Sequence, residues 1–551
     1  MQSKKIKRLI LFMLLFSLTA IPLYGCSSNN SEQAAEKSEF KDGKFNPPVT
    51  INYVREVGNE IKFRDGETIN DNVHTRWAKD ELGIIINHPW TTPGGSDQFS
   101  QKIRLSLSAN EELPDVMMVN GTLLTDLVDS GKFLSIDEAI DQFASDRLKA
   151  LYKQFPESFY SAMKDGKRYG LPVFSGGNGS DPVMWIRQDW LDKLQMKAPT
   201  TLAELEQLMD AFVNKDPDGN NKKDTVALAI GSSIASWIAD SSFLWGALGS
   251  HGLPFRWYEN SEGKLQYGSI VPETKAALGK LKEWTDKGYV DKDFMINDSG
   301  KAAERFTAGN EGIIFGPAWM VGWPNPDVLK NVPSAVLKPY PIVSGPNGEI
   351  GRTGEGLTVG YFVFNKNFKH MDAFFRYLDA LYGFQYGDEK YFKNGWYEGY
   401  DFVIKPDGSV SYDDKDIPGG KLDPSKYALT RNAPDIPFKA YDTMKKLSDG
   451  LEPITVFEKQ LATSVNVDRE AATITTDQNK YRIADMFTGS PTTTMKSKKQ
   501  FLDKMEQEVI AKIVLGKSPL DDFDKFVEEW KSGGGDDITN EVNEWYKSIK
   551  K

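Results

Sequence analysis

Short apolar runs alternate with helix-period segments along the first third of the chain. Residues 49–54, 84–87 and 114–119 are apolar or β-branched runs of strand length. Between them, residues 71–82 and 97–109 place apolar side chains at helical spacing. Strand, helix, strand, helix and strand at this spacing predict parallel strands joined by crossover helices, which is an α/β arrangement.

The alternation continues beyond the first third, and the C-terminal end is predicted to be helical. Glycine-rich stretches at 176–180 and at the start of 356–364 are interpreted as crossings between two lobes. The region 388–423 is rich in turns. The predicted elements are strands at 183–187, 312–316 and 356–364, and helices at 202–212, 272–286, 497–514, 520–532 and 537–549.

These elements predict two α/β lobes that exchange chain more than once, with a ligand site in the cleft between them. The predicted first lobe comprises residues 47–178 and a return segment at 356–435. The predicted second lobe comprises residues 179–355 and 436–551, and its last part contains the C-terminal helices.

The first 26 residues carry the pattern of an exported protein. Basic residues between positions 4 and 8 precede an apolar run at 9–21, which is too short for a stable membrane span. The sequence LYGC at 23–26 resembles the lipobox of bacterial lipoproteins, in which the cysteine receives a diacylglycerol and becomes the new N-terminus. We therefore predict a signal peptide at 1–25, a lipid anchor at Cys26 and a flexible tether at 26–46. An ordinary signal peptide with a chance cysteine is the alternative.

Composition narrows the environment and the class of ligand. Cys26 is the only cysteine in 551 residues, so the predicted body has no disulfide bond. No later segment approaches ~20 consecutive apolar residues, so the lipid is the predicted attachment to the extracytoplasmic face of the membrane. The formal net charge of −11 argues against nucleic acid as a partner. Most of the 13 Trp, 21 Tyr and 31 Phe residues belong in a core, but some would line a cleft for a ligand with flat apolar faces, such as a sugar.

A run of oxygen-bearing side chains at 216–225 predicts a calcium loop. Its order matches the first nine positions of an EF-hand loop, which binds a hard cation through oxygen atoms. The match is incomplete, because Asn221 stands at the sixth position in place of Gly and Ala227 at the twelfth in place of Glu. A metal-free turn is the alternative. The candidate ligands are Asp216, Asp218, Asn220, Lys222 through its backbone carbonyl, Asp224 and the adjacent Thr225.

Aromatic residues beside glycine or proline at predicted strand ends are the main candidate ligand contacts. The C–H face of a pyranose stacks on an indole, while charged and amide side chains take its hydroxyl groups. Arg187 has two alternatives, since it would bind an acidic sugar or pair with a carboxylate such as Asp189. The candidates are Trp90, Trp185, Arg187, Trp245, Trp319, Trp323, Glu355 and Trp396.

Four other tryptophans are predicted to belong to the core, because they lie at helical spacing among apolar neighbours. These are Trp190, Trp284, Trp530 and Trp545.

Several sequence blocks, spread over almost the whole mature chain, resemble one family. The most specific is WIRQDWLDKL at 185–194, followed by APTT at 198–201. In their order the blocks resemble the extracellular solute-binding lipoproteins of Gram-positive carbohydrate ABC importers, the large LplA-like type of family 1. The other blocks are LPDV at 113–116, YGLP at 169–172, DPDGN at 216–220, FDKFVEEW at 523–530 and EVNEWY at 541–546.

The resemblance implies a periplasmic-binding-protein-like fold of type II, in which two α/β lobes joined by a multi-strand hinge close on an oligosaccharide. It implies a monomer that delivers its ligand to the permease subunits of an ABC importer with a cytoplasmic ATPase. It implies no catalysis. Relatives with the DPDGN run bind structural calcium, which favours calcium over a metal-free turn at 216–225.

Sequence signatures of common enzymes are missing. The predicted body has no cysteine nucleophile, HExxH or GxSxG, and GKS at 516–518 lacks the glycine that a phosphate loop requires at position 511. A carboxylate pair for glycoside hydrolysis leaves no sequence signature, because such pairs assemble in space. An oligosaccharide receptor is therefore the leading hypothesis. A receptor of the same fold for a peptide or another polar solute, and a surface glycan-active enzyme, are the alternatives.

Overall fold

Two β-sheets organise the chain, which the computed structural model describes over residues 38–550. Five further strand pairs are short, and one of them, Arg352–Thr353 with Arg482–Ile483, is parallel and joins distant segments. The ten strands of the main sheets are β1 (Val49–Val57), β2 (Ile84–Asn87), β3 (Thr91–Pro93), β4 (Val116–Val119), β5 (Leu171–Phe174), β6 (Val183–Arg187), β7 (Val226–Ala229), β8 (Glu311–Gly316), β9 (Leu337–Tyr340) and β10 (Thr358–Phe364).

Helices cover the sheets and fill the C-terminal end. Over the described range, none is long and apolar enough to cross a membrane. They are α1 (Val73–Leu82), α2 (Ser96–Ser108), α3 (Gly121–Asp129), α4 (Asp137–Phe143), α5 (Asp146–Gln154), α6 (Gln188–Leu194), α7 (Leu202–Asn214), α8 (Phe243–Ala247), α9 (Pro272–Asp286), α10 (Ser299–Phe306), α11 (Asn325–Asn331), α12 (Met371–Tyr386), α13 (Lys439–Ser448), α14 (Val456–Ala462), α15 (Asn466–Asp477), α16 (Thr493–Val514), α17 (Asp522–Trp530) and α18 (Asp536–Ile549).

The first sheet has the strand order β2-β1-β4-β10-β5, with β3 also paired to β1. Strands β1, β2, β3 and β4 run parallel, as the sequence predicts, and β10 runs antiparallel to both of its neighbours. The carboxyl ends of β1, β4 and β5 therefore lie at one edge of the sheet. The chain leaves for the second sheet from this edge, directly after β5.

The second sheet has the order β7-β8-β6-β9. Strands β7 and β8 are parallel, and β6 runs antiparallel to β8 and β9. The carboxyl ends of β7, β8 and β9 consequently share an edge with the start of β6, where the chain enters from the first lobe. Since the crossings join these two edges, loops at the strand ends of both sheets border the space between the lobes.

Capping side chains set where several helices begin. Asn72 accepts hydrogen bonds from the N–H groups of His74 and Thr75 at 3.0 and 3.1 Å, so α1 begins after Asn72 rather than at Asp71. Thr201 and Glu204 form the reciprocal capping box of α7, directly before the helix that the sequence predicts at 202–212. These local bonds explain why helix positions follow the sequence pattern closely.

Each lobe has its own apolar core. Trp190, Trp284 and Trp530 are buried in the second core and Trp545 packs against it, which confirms the core prediction for all four. Helix α12 runs through the first core and is buried along most of its length. Helix α12 is not among the helices that the sequence analysis predicts.

The predicted residue bounds of the lobes need one correction. Val456 and Phe457 of α14 pack in the first core, although residues 436–551 are predicted to belong to the second lobe. Ala440 and Leu461 pack against both lobes. The segment that contains α13 and α14 therefore lies across the lobe boundary. The other predicted bounds of the two lobes remain a proposal.

The folded body begins before residue 46, where the tether is predicted to end. Glu39–Lys41 and Lys44–Asn46 form an antiparallel hairpin around Asp42 and Gly43, whose φ angles are 53° and 89°. Phe45 is buried in the first core, so this hairpin belongs to the folded body. The predicted signal peptide, Cys26 and the first part of the tether lie outside the described residues.

One acidic side chain lies inside the second core. Glu506 of α16 is fully buried, and its Oε2 accepts a hydrogen bond from the hydroxyl of Tyr267 at 2.9 Å. Tyr267 in turn stacks on Trp530, with ring centroids 4.9 Å apart. Burial raises the pKa of Glu506 to about 8, so the protonated carboxyl is the folded form at neutral pH.

Substituting Glu506 by Gln should change how stability depends on pH. Because the folded pKa lies above the ordinary value, the stabilisation is fully present below pH 4.5 and is lost as the pH rises through about 8. Between these values the wild-type free energy of unfolding should fall by up to about 1.4 kcal/mol per pH unit from this group, and the Gln variant should lack that part of the slope.

Urea unfolding of residues 38–551 across this pH range measures the slope. The matched control is Glu508→Gln, since Glu508 lies on the same helix with its side chain 52% exposed. Equal slopes for the wild type and the Glu506 variant would contradict the assignment.

Candidate functional site

A buried cluster of charges joins the chain crossings between the two sheets. Asp181 lies between β5 and β6, and Arg352 between β9 and β10; both are fully buried and form an ion pair. Arg482, which follows α15, places its Nε 3.3 Å from the same Asp181 oxygen. The backbone N–H of Glu355 donates to the other oxygen at 2.9 Å. One carboxylate therefore holds the two crossings and the segment after α15 together.

Glu355, a predicted ligand residue, lies in the second crossing. Its Oε2 accepts a hydrogen bond from the N–H of Ser180 at 3.0 Å. Burial raises the pKa of this half-buried carboxyl, and the negative charge of Asp181 adds to that rise. Glu355 thus ties the two crossings together at the base of the cleft.

Three tryptophans form a stacked group, the indole wall, at the strand ends of the second sheet. Trp319 and Trp323 follow β8, and Trp237 follows β7. The Trp237 ring centroid lies 5.7 Å from that of Trp319 and 6.1 Å from that of Trp323, with interplanar angles of 18° and 23°. Trp237 is 44% exposed and Trp319 37% exposed, so the wall offers flat apolar faces to solvent.

The indole wall is fixed from both sides. The indole N–H of Trp319 donates to the carbonyl of Gly179 in the first crossing at 2.7 Å. The loop that carries Trp237 is held by buried Asp240, whose carboxylate accepts from the N–H groups of Ser236 and Ser242 at 2.8 and 2.9 Å. The wall is therefore positioned relative to the hinge without a ligand.

Sequence analysis identifies Trp319 and Trp323 but misses Trp237. The signal that could have indicated Trp237 is strand β7. Residues 226–229 are a short apolar run that directly precedes the serine-rich loop carrying Trp237. Had β7 been recognised, its carboxyl end would have indicated Trp237 as a cleft residue.

Three of the predicted ligand tryptophans are core residues, and the prediction is corrected for them. Trp185 and Trp245 are fully buried, and their indole N–H groups donate to Pro317 O and Thr274 Oγ1, each at 3.2 Å. Trp396 is 7% exposed inside the first core. Each ring is covered by packing, so none presents a face on which a sugar could stack.

Arg187 pairs with a carboxylate, the second of its two alternatives. It is 2% exposed and donates to both oxygens of Asp189 at 2.9 and 2.7 Å. Its third donor reaches Gly309 O at 2.6 Å. Since its donors are engaged within the lobe, Arg187 is corrected to a packing residue.

Trp90 lies at the edge of the first lobe, half-buried against Phe99 at a centroid distance of 5.9 Å. Lys102 Nζ lies 4.0 Å from the centroid of its ring. The neighbouring cation covers the indole, so Trp90 contributes less exposed aromatic surface than the indole wall.

The wall of the first lobe differs in chemistry from that of the second. A cavity of about 840 Å³ opens at the ends of β1 and β3, and its lining includes Arg55, Glu56, Asn59, Lys426 and Arg431. Arg431 forms an ion pair with Glu56 at 2.8 Å. One lobe therefore offers apolar rings and the other offers charged and amide groups.

The predicted calcium loop connects α7 to β7. Asn221, at the sixth position, has a φ of 60°, the left-handed conformation for which an EF-hand loop uses glycine. Asn220 Nδ2 donates to the carboxylates of Asp218 at 2.6 Å and Asp224 at 3.0 Å, so these side chains point to a common space. Asp216 Oδ1 is buried without a hydrogen-bond partner.

The loop is a partial match to a cation site. Burial raises the pKa of Asp218, and the neighbouring carboxylates of Asp216 and Asp224 contribute to the rise. Thr225 is corrected as a ligand, since its hydroxyl donates to Phe212 O at 2.8 Å inside the lobe. Among residues 38–550, no group of three or more His, Cys, Asp and Glu side chains is arranged to hold a metal ion.

Comparison with known proteins identifies the family. Residues 78–350, about half of the chain, match the model of the bacterial extracellular solute-binding proteins. This chain belongs to that family. The two-lobed α/β architecture and the strand-end cleft are the fold expected of it.

Two curated relatives bind sugars according to their names. The polygalacturonan/rhamnogalacturonan-binding protein YtcQ of Bacillus subtilis (strain 168) is 27% identical to this solute-binding protein over 394 residues, 70% of this chain and 71% of YtcQ. The fructooligosaccharide ABC transporter substrate-binding protein FusA of Streptococcus pneumoniae serotype 4 is 25% identical over 343 residues, 59% of this chain and 60% of FusA. The resemblance to sugar-binding proteins of Gram-positive ABC importers is thereby confirmed.

Solved structures confirm the type II fold. Alginate-binding protein AlgQ2 without calcium ion aligns with a TM-score of 0.60 at 18% identity, covering 91% of this solute-binding protein and 98% of AlgQ2. FusA in complex with kestose aligns with a TM-score of 0.58 at 18% identity and similar coverage.

Proposed function

We propose that this protein is a lipid-anchored receptor that captures an oligosaccharide between its lobes and delivers it intact to an ABC importer. The indole wall of Trp237, Trp319 and Trp323 carries the proposal, because exposed stacked rings at a cleft edge suit the C–H faces of sugar rings. The sugar-binding relatives YtcQ and FusA support the same ligand class.

Capture requires the two lobes to approach each other. The indole wall takes the apolar faces of the sugar units, and the charged and amide groups of the first lobe take the hydroxyl groups. A ligand stabilises the closed arrangement only by binding it more tightly than the open one. Closure therefore reports occupancy to the permease without any chemical change in the sugar.

Replacing Trp237 or Trp319 by Ala should weaken oligosaccharide binding by at least about tenfold, because apolar surface that the bound sugar covers would be lost, at a cost of roughly 1.5–3 kcal/mol for a large side chain. Isothermal titration calorimetry of residues 38–551 against a panel of neutral and acidic oligosaccharides measures the effect. Chromatography of the recovered sugar checks that it is unchanged.

Phe501→Ala is the matched control for these variants, because Phe501 is an aromatic residue 60% exposed on α16, near Gly533. Unchanged affinity in both Trp variants would remove the indole wall from the binding site. Hydrolysis of the sugar by the wild type would contradict the receptor function.

Calcium is proposed as a structural ion in the loop between α7 and β7. Asp216, Asp218 and Asp224 would supply carboxylate oxygens and Lys222 its backbone carbonyl, a hard donor set that suits Ca²⁺. The buried, unpartnered Asp216 Oδ1 and the left-handed Asn221 support this assignment. The bound ion would neutralise carboxylates that otherwise repel one another, and its role would be structural.

Saturating calcium should raise the thermal midpoint of residues 38–551, since a ligand at 100 times its dissociation constant adds about 2.7 kcal/mol to stability. Asp218→Asn should reduce this increase. The control Asp210→Asn removes a carboxylate at the end of α7 that hydrogen-bonds to Asn214 and Tyr289. Equal midpoints with calcium and with a chelator would rule out the site.

The lipid anchor and the permease partner are proposed from the N-terminal pattern and the family. Cys26→Ala should release the protein from the cell surface into the culture medium and slow oligosaccharide uptake. Labelling with radioactive palmitate, followed by fractionation, measures the anchor, and uptake of labelled sugar measures delivery. Retention of the alanine variant on membranes would contradict the lipid anchor.

A further inference from the structure

We propose that the cavity of the first lobe binds the carboxylate of an acidic sugar unit, so that the ligand is an oligosaccharide containing uronic acid. This inference rests on the proposed receptor function and names the class of its ligand. Its basis is a buried cation without a carboxylate partner, set in the cavity at the ends of β1 and β3.

Arg55, near the end of β1, is that cation. It is 2% exposed and lines the cavity. Its Nε donates to Glu56 O at 3.1 Å, and its Nη1 donates to Lys426 O and Ala428 O at 2.8 and 3.1 Å. These bonds to neutral carbonyls hold the guanidinium plane and leave Nη2 without a bond to any described residue.

No carboxylate within residues 38–550 forms an ion pair with Arg55. A buried charge without a counter-charge is costly, and the carboxylate of a bound ligand would supply the opposite charge. Burial lowers the pKa of Arg55, as expected for a cation that its surroundings do not fully compensate. By contrast, buried Arg187 and Arg352 each pair with an aspartate.

The other charged side chains that line the cavity balance one another, since Glu56 and Glu60 are negative and Lys426 and Arg431 are positive. Arg431 is already paired with Glu56, and Lys426 lines the cavity without a side-chain hydrogen bond or ion pair in the described chain. Glu60 also lines the cavity, but its carboxylate is exposed and lies over Gly58. A bound carboxylate would therefore meet one unpaired guanidinium and one unpaired ammonium group.

The start of helix α2 lies beside the cavity. Gly94 and Gly95 line it, and Gly95 directly precedes α2, whose first turn has no side-chain cap bond. The start of a 13-residue helix carries unsatisfied N–H groups and the positive end of the helix dipole. A carboxylate can accept hydrogen bonds from these donors and from the remaining Nη2 group of Arg55.

The position fits a ligand that also stacks on the indole wall. Strand ends of both sheets border the cleft, and in the proposed complex one sugar ring lies on Trp237 or Trp319 while a carboxylate of the same ligand binds near Arg55. The apolar wall then gives affinity for sugar rings in general, and the cavity distinguishes acidic units from neutral ones.

The experiment compares a short oligogalacturonide with its methyl ester of equal length, by titration calorimetry of residues 38–551. The ester keeps the rings and removes the charges. We expect the ester to bind at least about tenfold more weakly, the loss expected for a charge-assisted hydrogen bond. A sulfated neutral oligosaccharide is the third ligand and distinguishes a general anion site from a carboxylate site.

Two variants test which side chains cause the preference for the acid over the ester. Arg55→Met should remove most of the preference for the acid over the ester, and Lys426→Gln should reduce it several-fold. Lys426→Gln tests the cavity even if the Arg55 variant does not fold, because the Lys426 side chain makes no bond in the described chain and its loss should leave the fold intact. Lys132→Gln is the matched control, because Lys132 lies near Asn365 at the opposite edge of the first sheet.

The outcomes separate the two proposals. Equal affinity for the acid and the ester, or an unchanged preference in both variants, overturns the uronic acid assignment while the receptor function stands. Stronger binding of the sulfated sugar overturns the carboxylate assignment in favour of a sulfate ester. Failure of all the sugars to bind overturns the receptor function itself.

Discussion

The buried ion pair between Asp181 and Arg352 is the interaction on which the architecture of the site depends. Both charges are inaccessible to solvent, and Arg482 and the N–H of Glu355 share the same carboxylate. Removing the aspartate would leave two guanidinium groups in a dry site, which makes the cluster intolerant of partial change. Because the cluster joins the two crossings after β5 and β9 to the segment after α15, it fixes where the edges of the two sheets meet.

The two lobes differ in the chemistry that they present at their strand ends. The second lobe presents stacked indoles, and the first presents a cavity with cationic side chains and backbone donors. Away from the crossings, the hydroxyl of Thr125 donates to Ser490 Oγ at 2.9 Å across the lobes, so contact between them includes small polar groups. A sugar has both apolar faces and polar edges, and this division of chemistry suits both.

Sequence reasoning located elements well where the signal is local. Gly83 ends α1 in a left-handed conformation, and the Thr201 capping box begins α7, because such bonds involve residues close in sequence. It was less successful for side-chain roles. Trp185 and Trp319 both stand near glycine at a strand, yet one is buried and the other is exposed. Which face of a strand is covered depends on helices far away in the chain, and no local pattern records that.

The sequence by itself determined the export signal pattern, the parallel α/β rhythm, the family and the oxygen-rich loop at 216–225, since each is set by neighbouring residues. Only the tertiary structure decided which aromatic rings are exposed, that Trp237 stacks with Trp319 and Trp323, and that Arg187 pairs with a carboxylate while Arg55 does not. These properties depend on which distant segments supply a covering atom or a counter-charge. Packing of the two lobes determines which rings are covered. The side chains that this packing brings beside each arginine determine whether it has a counter-charge.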